Sequence, residues 1–183
     1  MKLSLLIMLF SFFAITGCST MTPSEQNQKR SELNSMAEKA IAGLIKQDPA
    51  IKQAIDQSLG YAVVNMKITK VPIVGAGGGE GVFISQKTQK RVYFTVGRFD
   101  IGGGWGARSY KGLLIVKSQK IMDRLEGGTW VFEAGAEASA GTAAAEGTAG
   151  NDGFSMHILA DGGASVTVTA RIIKISANKS LMD

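Results

Sequence analysis

The chain of 183 residues has one cysteine, one histidine and three prolines. A single cysteine excludes an intrachain disulfide framework and a zinc site made of several thiolates, since both need more than one. A single histidine leaves little scope for His-based metal or acid–base sites. Only 19% of the residues are charged and 45% are hydrophobic, which is enough for a core and argues against global disorder.

Glycine, in contrast, is abundant, at 23 residues or about 13% of the chain against an average of roughly 7%. With so little proline, this composition argues against collagen and predicts a compact fold with many turns, bends and close backbone approaches. The length fits one domain.

The first residues have the pattern of an export signal. Lys2 precedes a mostly apolar run, Leu3–Ile15, which is shorter than the about 20 residues that a membrane-spanning helix needs. The run ends in Ile15-Thr16-Gly17-Cys18, which resembles a bacterial lipobox. We therefore predict a signal peptide at 1–17 and a diacylglycerol on Cys18, the only cysteine.

The predicted modification makes the mature chain membrane-anchored rather than membrane-spanning. No later segment has 18 continuous apolar residues, while two or more acyl chains anchor a protein stably. Ser19, in place of Asp after the cysteine, favours the periplasmic face of the outer membrane in enteric-like bacteria.

Downstream of Cys18 the pattern predicts a polar tether at 18–30 and a single domain at 31–183. Apolar residues from Leu33 to Ile45 recur every three or four positions, which predicts a helix from Ser31. We favour core packing over membrane-surface binding for this helix. Asp48-Pro49 predicts a second helix that ends before Gly60.

After Gly60 the period falls to two, and the fold class is therefore α+β: short amphipathic helices on an antiparallel sandwich or barrel-like body. A short helix is predicted at 119–126, and the Ala/Gly-rich stretch 134–150 is interpreted as sheet. The predicted strands are 61–68, 81–85, 91–98, 112–117, 129–137, 154–160 and 165–176.

The charge is unevenly distributed. Residues 61–124 have eleven Lys and Arg against three Asp and Glu, a net charge of 11 − 3 = +8, while 125–183 sum to 3 − 7 = −4. For a membrane-anchored chain this asymmetry points to anionic headgroups, although a solvated basic face without a partner explains it equally well. Nucleic acid is disfavoured by the export signal. The candidate lipid-binding residues are Lys67, Lys70, Lys87, Lys90, Arg91, Arg98, Arg108 and Lys111.

From Leu59 onward the order of motifs resembles the SYLF domain family, which occurs in bacterial lipoproteins and in fungal and animal proteins of actin patches. The resemblance covers about residues 32–178. Its motifs are Leu59-Gly60-Tyr61-Ala62-Val63-Val64, Gly77-Gly78-Gly79-Glu80-Gly81-Val82, Phe94-Thr95-Val96-Gly97, Ile101-Gly102-Gly103-Gly104-Trp105-Gly106-Ala107 and Leu113-Leu114-Ile115-Val116, before a short helix. The resemblance implies phospholipid binding.

Three patterns that would indicate an enzyme are weak. Gly102–Ala107 fits G-x-G-x-x-A, but no helix follows, as a dinucleotide site requires. Ser155, His157 and Asp161 lack a nucleophile elbow, and Glu133 and Glu137 are more typical of solvated sheet carboxylates than of a glycosidase pair.

Trp105 and Trp130 are candidate membrane or core anchors, and the sequence does not decide between the two. We therefore expect a non-enzymatic lipoprotein without cofactor or metal that binds anionic phospholipid. The alternative is a structural envelope lipoprotein that binds a protein or a wall polymer.

Overall fold

The computed structural model describes residues 21–134, 137–140, 143–144 and 153–182. They form an α+β fold in which N-terminal helices pack on a curled antiparallel sheet that makes a half-barrel. The predicted fold class is confirmed in its barrel-like form. No helix among these residues is long and apolar enough to cross a membrane.

The helices and strands follow the order of the sequence-based prediction. The helices are α1 (Pro23–Gln47), α2 (Ala50–Asp56) and α3 (Gln119–Glu126), with a 3-10 helix at Lys179–Leu181. The strands are β1 (Gly60–Lys70), β2 (Val74–Ser85), β3 (Arg91–Val116), β4 (Thr129–Ala134), β5 (Glu137–Ala140), β6 (Ala143–Ala144) and β7 (Phe154–Ala177).

Helix α1 begins at Pro23, eight residues earlier than predicted, so the end of the predicted tether is helical. Thr22 and Glu25 form a capping box in which each side chain accepts from the other's backbone N–H. The backbone and side-chain hydrogen bonds from Thr22 lower the pKa of Glu25. Residues 24–30 contain no apolar residue, and periodicity therefore gave no sign of this part of the helix.

Helix α2 starts as the sequence predicts, because the Asp48 carboxylate accepts a hydrogen bond of 2.9 Å from the backbone N–H of Ala50. Its end differs from the prediction. Gly60 does not close the helix but is the first residue of β1.

Strand β3 is one continuous strand of 26 residues where two separate strands were predicted. Its first half pairs with β2 and its second half with β1, while β1 and β2 also pair with each other. The three strands therefore curl around a common interior. Strand β7, also predicted as two strands, pairs with β3 from Phe94 to Val116, with a register shift between Ser109 and Tyr110.

The bend in β3 explains why its glycine stretch is not a nucleotide-binding turn. Gly102, Gly104 and Gly106 have positive φ values of 134°, 154° and 141°, which side chains rarely permit. The connection between β1 and β2 lies against this bend, where Gly102 N–H donates to Ile73 O at 2.9 Å and Gly104 N–H to Pro72 O at 3.2 Å.

The sheet separates two apolar cores. On the outer face, buried residues of α1 such as Leu33 and Leu44 pack against strand residues such as Val63 and Leu113, which confirms the core-packing role of α1. On the inner face, Met66, among others, lies in the core that the curl encloses. Side chains along each strand alternate between the two faces of the sheet, and both sets are buried where helices cover the outer face.

Candidate functional site

Six large apolar side chains are exposed together where β3 bends and β1 turns into β2. The most exposed are Trp105 at 70% and Ile73 at 69%. We call this surface the apolar end; its members are Val71, Ile73, Val74, Phe99, Ile101 and Trp105. Contiguous exposed apolar patches on soluble proteins mark interaction surfaces.

The apolar end is exposed because the helices cover only the other half of the outer face. Val63, Val82 and Tyr93 lie under α1 and α2 and are buried. Farther along the same strands, Ile101 pairs with Val74, and both are exposed at 55% and 42%. Outward-facing apolar side chains are buried under the helices in one half of the sheet. In the other half no helix covers them, and they form an exposed apolar surface.

Directly inside the apolar end lies a group of buried charges, which we call the basic cluster: Lys70, Arg98 and Arg108 with Asp100. The three cations are 3%, 5% and 9% exposed, and Asp100 is fully buried. Lys70 immediately precedes Val71, and Asp100 immediately precedes Ile101. Alternation along the strand turns each charged residue inward and its apolar neighbour outward.

Arg98 and Asp100 form a bidentate ion pair. Arg98 Nε donates to Asp100 Oδ1 at 2.8 Å and Nη2 donates to Oδ2 at 2.7 Å, while Nη1 donates to the Tyr110 hydroxyl at 3.1 Å. Burial lowers the pKa of the Arg98 guanidinium, but the interactions with Asp100 and Tyr110 more than offset this, so the pKa is raised. The guanidinium of Arg98 is thus held in its charged form.

The cluster has more positive than negative charge. Three cations face one carboxylate, a net charge of 3 − 1 = +2 among these four side chains. Arg108 lies over the Tyr110 ring at 4.8 Å from its centroid. The ammonium of Lys70 has no hydrogen-bond partner within the described part of the chain. A buried ammonium without a partner is costly, and such groups mark strain or a site for a ligand.

An apolar cavity of about 40 Å³ lies within the half-barrel, and Tyr110, which accepts a hydrogen bond from Arg98, is part of its lining. Tyr110, Met66 and Val96 line it on the side nearest the cluster, and Leu114 and Met156 lie farther in. The interior therefore changes from charged to apolar along the axis of the curl.

The remaining candidate basic residues do not join this site. Lys90 and Arg91 line a groove of about 490 Å³ with Arg30 at the start of β3, and Lys87 lies in the loop before it. Arg91 lies roughly 33 Å along the strand from Ile101. Lys67 lines an outer groove of about 390 Å³, and Lys111 forms an ion pair with Asp161. The eight residues therefore occupy several surfaces rather than one basic face.

The weak enzyme patterns gain no support from the geometry. Asp161 is paired with Lys111, while Ser155 Oγ lies 3.4 Å from His157 Nε2. Glu133 and Glu137 are on two different strands, β4 and β5, not on the single predicted strand. Within the described ranges, no group of three or more acidic, His or Cys side chains could hold a metal ion.

Sequence reasoning missed the apolar end because it followed charge. The available signal was the apolar tetrapeptide Val71-Pro72-Ile73-Val74 between two strands, together with Trp105 among glycines. Of the two tryptophans, Trp105 is exposed, while Trp130 is 4% exposed and packs edge-to-face on Phe154 at 5.5 Å. The predicted signal peptide and Cys18 lie outside the described residues.

The chain is similar to Beta cell expansion factor A of Aeromonas veronii, with 24% identity over 144 residues. The match covers 78% of this chain and 55% of the relative, so it spans little more than half of that protein. No protein-family model matches the chain.

Proposed function

We propose that this protein is a non-enzymatic, lipid-anchored envelope protein that binds anionic phospholipid membranes, and that the apolar end is its second membrane contact beside the acylated Cys18. The proposal includes membership of the SYLF family as a divergent member, on the order of motifs from Leu59 to Val116. It also includes a location on the periplasmic face of the outer membrane. The relative's name states no ligand, so support for binding comes from the geometry.

The exposed apolar end is the observation that carries the proposal. Fully burying one large aliphatic or aromatic side chain contributes about 1.5–3 kcal/mol, and six such side chains are available here. Tryptophan prefers the interface between lipid and water, and Trp105 is the most exposed of the six. A surface of this kind fits the hydrocarbon boundary of a bilayer.

The preference for anionic lipid follows from the basic cluster. Its excess positive charge lies one residue inside the apolar end, at the depth where phosphate groups lie if the end enters the bilayer. A cation close to an anionic membrane surface contributes about 1 kcal/mol. The position of this charge thus favours the apolar end over Lys87, Lys90 and Arg91, which lie in the loop before β3 and at its first residue.

Co-sedimentation with vesicles tests the proposal. Every described contact lies within residues 21–182, so a chain of residues 19–183 keeps them while lacking the acyl anchor. This protein should bind vesicles of phosphatidylcholine mixed with phosphatidylglycerol. The double variant Ile73→Ser/Trp105→Ser should bind at least tenfold more weakly, because each tenfold corresponds to only about 1.4 kcal/mol.

The matched control reverses charge at the opposite end, in Lys87→Glu/Lys90→Glu/Arg91→Glu. We expect binding within about threefold of the wild type, because these residues lie away from the apolar end. If the triple variant lost binding while Ile73→Ser/Trp105→Ser bound normally, the membrane contact would lie at Lys87, Lys90 and Arg91 instead. No binding to any vesicle would contradict the function itself and favour a protein or wall polymer as the partner.

A further inference from the structure

We propose that the basic cluster is a binding site for the unsubstituted acid group of a lipid, a phosphomonoester or a carboxylate, with Lys70 as its main ligand. This inference rests on the proposed membrane function and assigns the headgroup chemistry. It concerns a site inside the half-barrel, which is distinct from the outer surface of the apolar end.

The ammonium of Lys70 is the feature that indicates a ligand, because the described residues offer it no hydrogen-bond partner although it is buried. Asp100 already accepts two hydrogen bonds from Arg98, and the ammonium of Lys70 has no hydrogen-bond partner among the described residues. The stem of Lys70 lies beside Asp100, since both approach the position that a side chain on Gly75 would occupy, at 3.3 and 3.2 Å. The Lys70 ammonium is therefore buried beside a carboxylate that Arg98 already engages, without a described hydrogen-bond acceptor of its own.

The surroundings determine the type of anion. The cations are at most 9% exposed, so a headgroup with a bulky substituent, such as glycerol or choline, cannot reach them without opening the sheet. A terminal phosphate or carboxylate presents unsubstituted oxygens and needs less room, and both groups accept charge-assisted hydrogen bonds from Lys and Arg. The adjoining cavity of about 40 Å³ is too small for a whole acyl chain, so most of the chain stays outside.

Access is from the apolar end. Lys70 and Asp100 are each followed by an exposed apolar residue, Val71 and Ile101, which places the cluster at the rim of the curl. When the apolar end meets a bilayer, the acid group of a lipid lies within reach of this rim. The site therefore selects among anionic lipids, whereas the apolar end provides general membrane affinity.

The test compares three kinds of phosphatidylcholine vesicle, which contain the same molar fraction of phosphatidate, oleate or phosphatidylglycerol, at a pH at which each anionic lipid is charged. The wild type should bind vesicles with phosphatidate, with oleate or with both at least tenfold more tightly than vesicles with phosphatidylglycerol. Comparing phosphatidate with oleate shows whether the site prefers phosphate or carboxylate. Lys70→Met should lose this preference and bind the three kinds of vesicle within about threefold of one another. The matched control Lys67→Met, on the same strand but with its side chain on the opposite, exposed face, should keep the preference.

A second measurement separates the site from the membrane contact. Soluble dihexanoyl phosphatidate or hexanoate should raise the Tm of the wild type by several degrees and leave that of Lys70→Met unchanged. Without ligand, Lys70→Met should have a Tm equal to or above that of the wild type, because it removes an unpartnered buried charge.

Three results would overturn the inference: an equal preference in Lys70→Met, no preference together with no Tm shift, or a Tm of Lys70→Met lowered by many degrees. The last would make Lys70 a structural residue. Failure of every vesicle to bind would remove the proposed function, but the soluble ligands would still decide whether the site exists.

Discussion

Replacing Gly81 by alanine should destabilise the protein by about 3 kcal/mol or more. A side chain there would place its Cβ 2.2 Å from the carbonyl oxygen of Val63 and 2.6 Å from the Phe94 ring. The first contact is with backbone, which cannot move aside without separating β1 from β2. Urea denaturation followed by circular dichroism should show the loss as a lower midpoint or as a protein that is not folded in buffer.

Gly97→Ala is the matched control, because it lies in β3 and a Cβ there would meet nothing within 4 Å. Its stability should stay within about 0.5 kcal/mol of the wild type. Equal losses of stability in Gly81→Ala and Gly97→Ala would contradict this explanation. Glycine would then be needed at both positions for its backbone conformation and not for the close approach of β1 and β2.

The second large effect is expected from Asp100→Asn, at about 3–5 kcal/mol. The amide can accept only through its oxygen, so the second hydrogen bond from Arg98 is lost and the buried guanidinium no longer faces the negative charge of Asp100. Thermal unfolding of the variant should show a clear fall in Tm, since each kcal/mol corresponds to about 2–4 °C at this size.

Asp161→Asn is the control for a more exposed ion pair. It breaks the contact with Lys111, in which the two side chains are 24% and 28% exposed, and should cost less than about 1 kcal/mol. Replacing both Arg98 and Asp100 by leucine should cost less than Asp100→Asn alone, because it leaves no half of the pair buried. If Asp100→Asn proved as mild as Asp161→Asn, the basic cluster would not be a buried, water-poor site.

The periodic spacing of apolar residues was enough to predict helices and strands, but not the continuous strand β3, which depends on how the chain bends. Alternation from Val92 to Val96 predicted strand β3, and the spacing of Leu33, Ala37 and Leu44 predicted the buried face of α1. The glycines at 102, 104 and 106 have no side chains to alternate, so β3 was predicted as two strands. Its continuity depends on pairing with β7, a contact distant in sequence.

The same limit applies to the candidate site. Net charge identified Lys70, Arg98 and Arg108 as notable residues, but it could not show that they face inward while Lys67 faces outward. Side chains alternate between the two faces of β1 and β3, and the pairing of the strands in the curled sheet decides which face is inside. Trp105 is exposed because α1 does not extend over this part of the sheet, and the extent of that packing cannot be read from a local sequence pattern.

The most direct test of membrane contact at the apolar end uses the fluorescence of Trp105. Because Trp130 is buried beside Phe154, a spectral change on adding vesicles that contain phosphatidylglycerol reports on Trp105. We expect a blue shift of the emission maximum that is lost in Trp105→Phe, although this variant still sediments with the vesicles. Binding of the wild type to vesicles with an unshifted emission would rule out membrane contact at the apolar end, because the membrane would then lie against another surface.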